Sequence, residues 1–444
     1  MKKIILIVFS AVISMHIYAQ NPTSYFMEGV TSRSQWNPAF APYKGYVNVP
    51  LVGGIQADIN SNVSLSEFVI PVDGKLYSIF NEAVSAATAL EGLKEFNQLE
   101  TDVRLGLLSF GSYTKNEKSF WSFDISTRSL AGIDVPYSLF DFMKNGNNAD
   151  ISNLSIYADN YLEASFCYSL PITEKLYLGA RAKLISGIAR TKVTFNEFHA
   201  IMDKDKWHAD VIATMQLSGL ELPTKVNGEG KVVYDLENID GSNVKLGGGY
   251  GIGFDFGATY NLLPNLQISA SVCDLGFVKW SKSASGVIDE VMEFESVIIE
   301  DGNINQPDIE FEDWAIEVLE SSSERQSLYA SVNIGGEYAL LNNKVGLGLF
   351  YNMRTGVLHT IHNITASANL KPLKWLHLSG SYSLLNNTSS AVGLGLNICP
   401  GFVNLFVATD ILLSKKTPQW IPIEQGNMNF SFGLAVPVGK WGKR

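Results

Sequence analysis

The sequence predicts an all-β protein: a transmembrane antiparallel up-and-down β-barrel of about fourteen strands. Three observations predict it. Strand-length runs alternate bulky apolar residues with small or polar ones at a period of two. Charged residues make up 17% of the chain, below the ~25% usual for soluble proteins, while aromatics reach 11% and glycines number 38. Turns of roughly three to five residues alternate with much longer loops, the pattern of a barrel with one short rim and one elaborated rim.

The clearest run is Gly247–Gly276. Tyr250, Ile252, Phe254, Phe256, Ala258 and Tyr260 share one face, and Gly249, Gly251, Gly253, Asp255, Gly257 and Thr259 share the other. After the break at Asn261–Asn265, Leu266, Ile268, Ala270 and Val272 alternate with Gln267, Ser269, Ser271 and Cys273. A soluble sandwich puts large residues inward and charged ones outward. Here the polar face carries few Lys or Glu, which fits lipid outside and a wet interior.

In chain order, Lys2 and Lys3 followed by the apolar run Ile4–Ile17 read as a secretory signal, residues 1–19, cut between Ala19 and Gln20. Residues 20–45 are polar, turn-rich and without strand alternation, and centre on Trp36-Asn37-Pro38-Ala39-Phe40. Asn-Pro starts a turn, and proline removes a backbone donor. Such a segment needs a surface to lie on, and a barrel lumen supplies one. Residues 46–444 form the barrel. Tyr46–Asn60 reads as a strand bent at Pro50 and Gly53-Gly54. Residues 78–100 have helical spacing, with Ile79, Ala83, Ala86, Leu90 and Leu93 near one face. Val103–Tyr113 and Ser119–Arg128 form a hairpin, and a short helix is expected near Leu139–Met143. Further strands follow, among them Trp207–Leu217, a hairpin about Asn227-Gly228, and a regular series from Ser327 to Val438.

Net charge is −11, but residues 285–326 alone hold 13 acidic residues and one arginine. The acidity therefore belongs to one expected extracellular loop, read as partly helical around Phe311–Leu319. It disfavours nucleic acid, which is not expected as a partner. Within it, Asp301, Asn303, Asn305 and Glu312 imitate four ligands of a calcium loop. The glycine such a loop needs is replaced by Gln306, so the candidate is a looser loop-bound divalent cation. No other cofactor is expected. Three widely spaced cysteines, Cys167, Cys273 and Cys399, form neither a disulfide framework nor a zinc site.

Asn37, Pro38 and Ala39 just after the signal, the GARAKL run at Gly179–Leu184 and DLGFVKW at Asp274–Trp280 carry a family resemblance. The chain resembles the long-chain fatty acid transporter (FadL-type) superfamily, and within it an uncharacterised, PorV-like family of Bacteroidetes outer-membrane proteins. The resemblance implies a barrel of about fourteen strands in the Gram-negative outer membrane. It also implies an N-terminal hatch at Asn37, Pro38, Ala39 and Phe40.

Enzyme chemistry is not expected: the chain has no G-x-S-x-G elbow, P-loop or H-E-x-x-H. His359 and His362, three apart on a strand, point to opposite faces. Charged residues on the polar face of a wall strand mark the lumen, which singles out Asp124, Glu163, Arg181, Lys183 and Asp255. Two functions fit these features. One is passive transport of a small hydrophobic solute, gated by the hatch. The other is a non-transporting scaffold, seated in outer-membrane lipid, that docks secreted or surface proteins.

Overall fold

The computed structural model describes residues 22–442 apart from 64–66, 73–74, 147, 203–205, 220, 236–237, 239–246, 282–283, 296–298, 301–302, 305–314, 321, 387–388 and 412–427. The predicted signal, residues 1–19, lies outside the described residues.

Fourteen antiparallel strands close into one barrel. In ring order they are a two-piece strand (Lys44–Asn48 with Ile55–Ser61), Phe96–Tyr113, Phe120–Pro136, Ser155–Pro171, Leu176–Met202, Gly249–Leu263 and Leu266–Trp280. The ring continues through Ser331–Leu340, Val345–Thr355, Thr360–Leu373, Leu376–Leu385, Ser389–Ile398, Asn404–Ile411 and Met428–Trp441. Met428–Trp441 pairs with both pieces of the first strand, at Tyr46↔Pro437 and Ala57↔Phe430, which closes the ring. A closed ring leaves no strand edge to face hydrocarbon, where each unsatisfied backbone group costs several kcal/mol.

The period-two faces decide what meets lipid. Leu184 is 69% exposed and Phe256 52%, whereas Asp255 between its apolar neighbours is fully buried. Phe166, Tyr250, Ile252, Phe254, Leu349 and Tyr382 share the outer surface. An apolar exterior over a polar interior is the arrangement of an outer-membrane barrel.

Three regions differ from the sequence expectation. The helix expected over residues 78–100 shrinks to Ala86–Leu90, capped by Ser85 Oγ accepting from Thr88 N–H at 3.2 Å. From Phe96 onward the chain is drawn into the wall, pairing Phe96↔Pro136 through Tyr113↔Phe120, so ladder pairing overrides local spacing. The helices Ala86–Leu90 and Tyr137–Asn145 and the paired strands Val69–Val72 and Lys75–Ser78 pack as a small apolar cap around Ile79, Val84, Ala89 and Phe140.

Second, Lys206–Ser218 is no wall strand. Leu176–Met202 has 27 residues, roughly 90 Å of extended chain and far more than a membrane needs. Its first half pairs with Gly249–Tyr260 in the wall. Its second half rises beyond the rim and pairs with Lys206–Ser218. Third, the acidic segment is not simply a loop. Ala284–Glu295 pairs with Lys206–Ser218, and Glu317–Leu319 is a short strand where helix was expected. The hairpin Thr224–Tyr234 completes this outer sheet. Its apolar centre is Val211, Ala213, Tyr234, Ile288 and Ile316.

Candidate functional site: a filled lumen

The inward side chains form three layers stacked along the barrel axis.

The layer nearest the short turns is built by residues 22–43, which lie inside the barrel. Two 3₁₀ turns, Pro22–Ser24 and Thr31–Gln35, bracket it. Asn37, Pro38 and Ala39 form a turn whose residues each answer a physical need. Asn37 Oδ1 accepts the Ala39 N–H at 2.9 Å, which closes the turn. The same side-chain amide donates to the wall carbonyls of Ala258 (3.1 Å) and Ala270 (3.2 Å). Pro38 has no N–H to satisfy. The segment's own carbonyls are met by wall side chains. Ser271 Oγ donates to Trp36 O at 2.6 Å, Asn333 Nδ2 to the same oxygen at 3.0 Å, and Ser169 Oγ to Ala39 O at 2.9 Å.

Two glycines let the segment come this close. Gly179 and Gly257 are cross-strand partners. A Cβ on Gly179 would overlap the backbone of Pro38, and one on Gly257 would overlap Asn37. Beside this niche, Tyr25 stacks on Phe350 with ring centroids 3.9 Å apart, and Trp36 and Phe40 pack edge-on around them. Arg33 lies 3.8 Å over the Phe40 ring. Glu28 ties the segment to the wall through Lys371 Nζ at 3.0 Å and accepts from Tyr43 at 2.6 Å.

The middle layer is a belt of buried charge. Arg128 binds Asp102 through two bonds (3.0 and 2.8 Å) and reaches Asp274 at 2.9 Å. Lys183 sits 2.8 Å from Asp255, also contacts Asp274, and lies 3.9 Å from Glu163. Arg181 reaches Asp255 at 3.5 Å and Asp124 at 4.0 Å, and donates to Ser34 of the N-terminal segment at 2.9 Å. Arg104 pairs with Glu163 at 3.4 Å. Arg354 bridges Asp58 (2.5 Å) and Asp102 (2.8 Å). Six acids face five bases, so the belt is close to neutral and every charge has a partner. Desolvated charges persist only when matched in this way.

The layer toward the long loops is apolar: Leu130, Tyr161, Ile185, Val278, Trp280, Leu328 and Tyr329. Tyr329 OH donates to Asp159 at 2.5 Å, and Gln326 binds Asp159 at 2.8 Å and accepts from Trp280 Nε1 at 3.1 Å. A cavity of about 10 Å³ lies between this layer and the belt, lined by Glu100, Asp102, Leu130, Tyr329 and Arg354. Another of about 10 Å³ lies among Gln56, Asp102, Arg104 and Arg128. Each has room for about one water.

Facing irregularities on two neighbouring strands shape the upper layers. Along Leu266–Trp280, Val272 and Leu275 face out, while Cys273 and Asp274 both turn inward and are buried. The ladder shifts register here, between Phe254 and Phe256, and Asp274 takes a left-handed φ of 60°. Asp255 Oδ1 captures the freed Asp274 N–H at 2.7 Å. On the opposing chain Leu328 and Tyr329 are likewise both buried, between Glu324–Ser327 and Ser331–Leu340. One bulge thus adds a carboxylate to the belt, and the other adds a side chain to the apolar layer.

The structure places Asn37, Pro38, Ala39 and Phe40 in the first layer, and Asp124, Glu163, Arg181, Lys183 and Asp255 together in the second. The sequence reading missed Asp58, Asp102, Arg104, Arg128, Asp274 and Arg354. Arg128 shares the inward parity of Asp124, so that signal was present. Asp102 lies just past the expected helix. Asp274 falls on an outward position by parity, and a charge there is itself the sign of a bulge. Asp301, Asn305 and Glu312 lie outside the described residues, and Asn303 falls in the two-residue strand Asn303–Ile304. His359 lies beside Glu100 at 3.3 Å, and His362 bonds the outer Tyr351 at 2.9 Å. The three cysteines are buried and free.

A closed barrel with an apolar exterior and a lumen filled by its own N-terminal segment defines a plugged outer-membrane β-barrel. The chain belongs to the DUF5723 family, a family of unknown function, whose profile matches residues 38–410. No curated protein matches the chain. Among solved structures, it is similar to the toluene transporter TbuX of Ralstonia pickettii at 10% identity and a TM-score of 0.46, covering 93% of this chain and 98% of that one. It is also similar to the toluene transporter TodX of Pseudomonas putida (11% identity, TM-score 0.39, coverage 94% and 93%). A FadL homologue of Pseudomonas aeruginosa is similar at 8% identity, with a TM-score of 0.40 and coverage of 95% and 94%.

Proposed function

We propose that this barrel passes a small apolar molecule across the outer membrane, and that residues 22–43 are the hatch that gates it. One observation carries the reading. The segment fills the lumen, yet none of its residues up to Tyr43 joins a strand ladder. It is held by side-chain hydrogen bonds worth about 1 kcal/mol each, by the Glu28–Lys371 ion pair, by aromatic packing and, at its end, by the Gly442 N–H donating to Tyr43 O, so it can shift without unzipping the wall. The apolar layer at the loop end gives an apolar solute its first contact, and the aromatic cluster around Tyr25 gives a second. The charge belt between them, closed by mutual pairing, would have to open for passage.

Deletion of residues 21–43 tests this in proteoliposomes given an apolar dye from outside as solute. Uptake at least tenfold faster than through the full chain is the expected result. Equal uptake by both proteins counts against gating.

The scaffold reading draws support from the sheet that rises beyond the rim, built on the second half of Leu176–Met202. It gains ground if both proteins are equally tight to solute while removal of Thr224–Tyr234 abolishes binding of a partner captured on intact cells.

A further inference from the structure

We infer that Lys279 and Arg325 form a binding site for the phosphate of a lipid headgroup in the leaflet on the long-loop side. One cross-strand row on the outer wall carries it: Ser186, Tyr250, Lys279 and Arg325 are consecutive register partners. All four are exposed. The next row toward the short turns is Leu184, Ile252, Phe277 and Ser327, and the one after it is Ala182, Phe254 and Leu275. The exterior therefore changes from apolar to cationic within one step of the ladder.

The height of that step matches a headgroup. From Ile268 near the short turn to Lys279, the strand climbs about 28 Å, at ~3.3 Å per residue and a tilt of ~40°, against an apolar band of ~25 Å. Lys279 and Arg325 thus stand at the edge of the hydrocarbon, where lipid phosphates lie.

Placing two like charges directly opposite is unfavourable on its own, and an anion between them reverses the sign. Among the described residues neither cation has an ion-pair partner. Arg325 is held in place, its guanidinium 3.7 Å over the Phe277 ring. A guanidinium stacked by one face keeps its edge donors free, and that planar fork matches two phosphate oxygens. Lys279 adds a second charge and the Tyr250 hydroxyl a neutral donor. Leu184, Ile252 and Phe277 beneath them would receive the acyl chains. A free phosphate ion would use the cations but not this apolar row, so the row selects a lipid.

The test uses full-length protein purified from membranes in mild detergent. Lipid occupancy is read by native mass spectrometry, first as purified and then during titration with phosphatidylglycerol, phosphatidylcholine or inorganic phosphate. The expected result is one retained phosphate-bearing lipid and phosphatidylglycerol binding reduced at least tenfold in the pair Lys279→Gln with Arg325→Gln. Arg325→Lys alone is expected to keep part of the binding. A control pair on a short turn, Lys115→Gln with Lys118→Gln, is expected to bind as the unaltered chain does. Heat-modifiable migration of each variant reports whether its barrel is folded. Equal loss in the control pair, or inorganic phosphate binding as tightly as the lipid, would overturn the assignment. So would unchanged lipid occupancy in a folded double variant.

Discussion

Gly179→Ala is expected to lift the N-terminal segment off the wall while leaving the barrel closed. The added methyl group would overlap the Pro38 backbone, which cannot swing aside as a side-chain tip can. Overpacking of this kind costs typically 1–3 kcal/mol. Spent wholly on the seated state, that raises the dislodged population by about five- to 150-fold. Two native thiols report it. Cys273 Sγ lies 3.4 Å from Trp36 O and Cys167 Sγ 3.7 Å from Pro38 O, both under the segment. Site-resolved maleimide labelling should therefore accelerate at Cys167 and Cys273 in the variant and stay unchanged at Cys399. Labelling that rises equally at all three would indicate general loosening of the barrel. Unaltered labelling would mean the niche is not needed for seating.

The second large effect is expected at Asp274. Its carboxylate joins Arg128 to Lys183, and its backbone occupies a left-handed conformation at the bulge. Asp274→Ala removes the shared partner of two buried cations, and breaking a buried pair costs about 3–5 kcal/mol. Alanine also tolerates a positive φ poorly. Asp274→Asn separates the two causes, since asparagine accepts that backbone conformation and keeps the hydrogen-bonding shape while losing the charge. Unfolding in urea from lipid vesicles should rank the unaltered chain above Asp274→Asn, and Asp274→Asn above Asp274→Ala. If the asparagine variant is as stable as the unaltered chain, charge pairing contributes little and the belt is held by geometry.

The outer wall was readable from the sequence because one rule governs it. A closed barrel in lipid forces bulky apolar residues to one face at a period of two, and runs such as Tyr250–Tyr260 show that period plainly. The same parity set apart Asp124, Glu163, Arg181, Lys183 and Asp255, since a charge on an inward position has only the lumen to occupy. Parity fails where the ladder slips. The bulge at Asp274 and the break at Leu328–Tyr329 each turn two consecutive residues inward; a charge on an outward position marks the first, and two apolar residues in a row do not mark the second. Helical spacing over residues 78–100 misled for a different reason: strand partners at Pro136 and Ile133, distant in sequence, claim Phe96 and Leu99. The sheet beyond the rim was hidden because wall strands and projecting strands share the same alternation. Only the 27-residue length of Leu176–Met202 tells them apart.

Movement of the N-terminal segment is what the proposed gating depends on, and a reversible lock addresses it directly. Ser169 Oγ lies 2.9 Å from Ala39 O, so Ala39→Cys with Ser169→Cys places two thiols where segment and wall touch. In proteoliposomes, the oxidised, cross-linked barrel should admit no apolar solute, and reduction should restore the uptake of the unlocked chain. Uptake by the fully cross-linked barrel at the unlocked rate would show that solute passes without the segment moving.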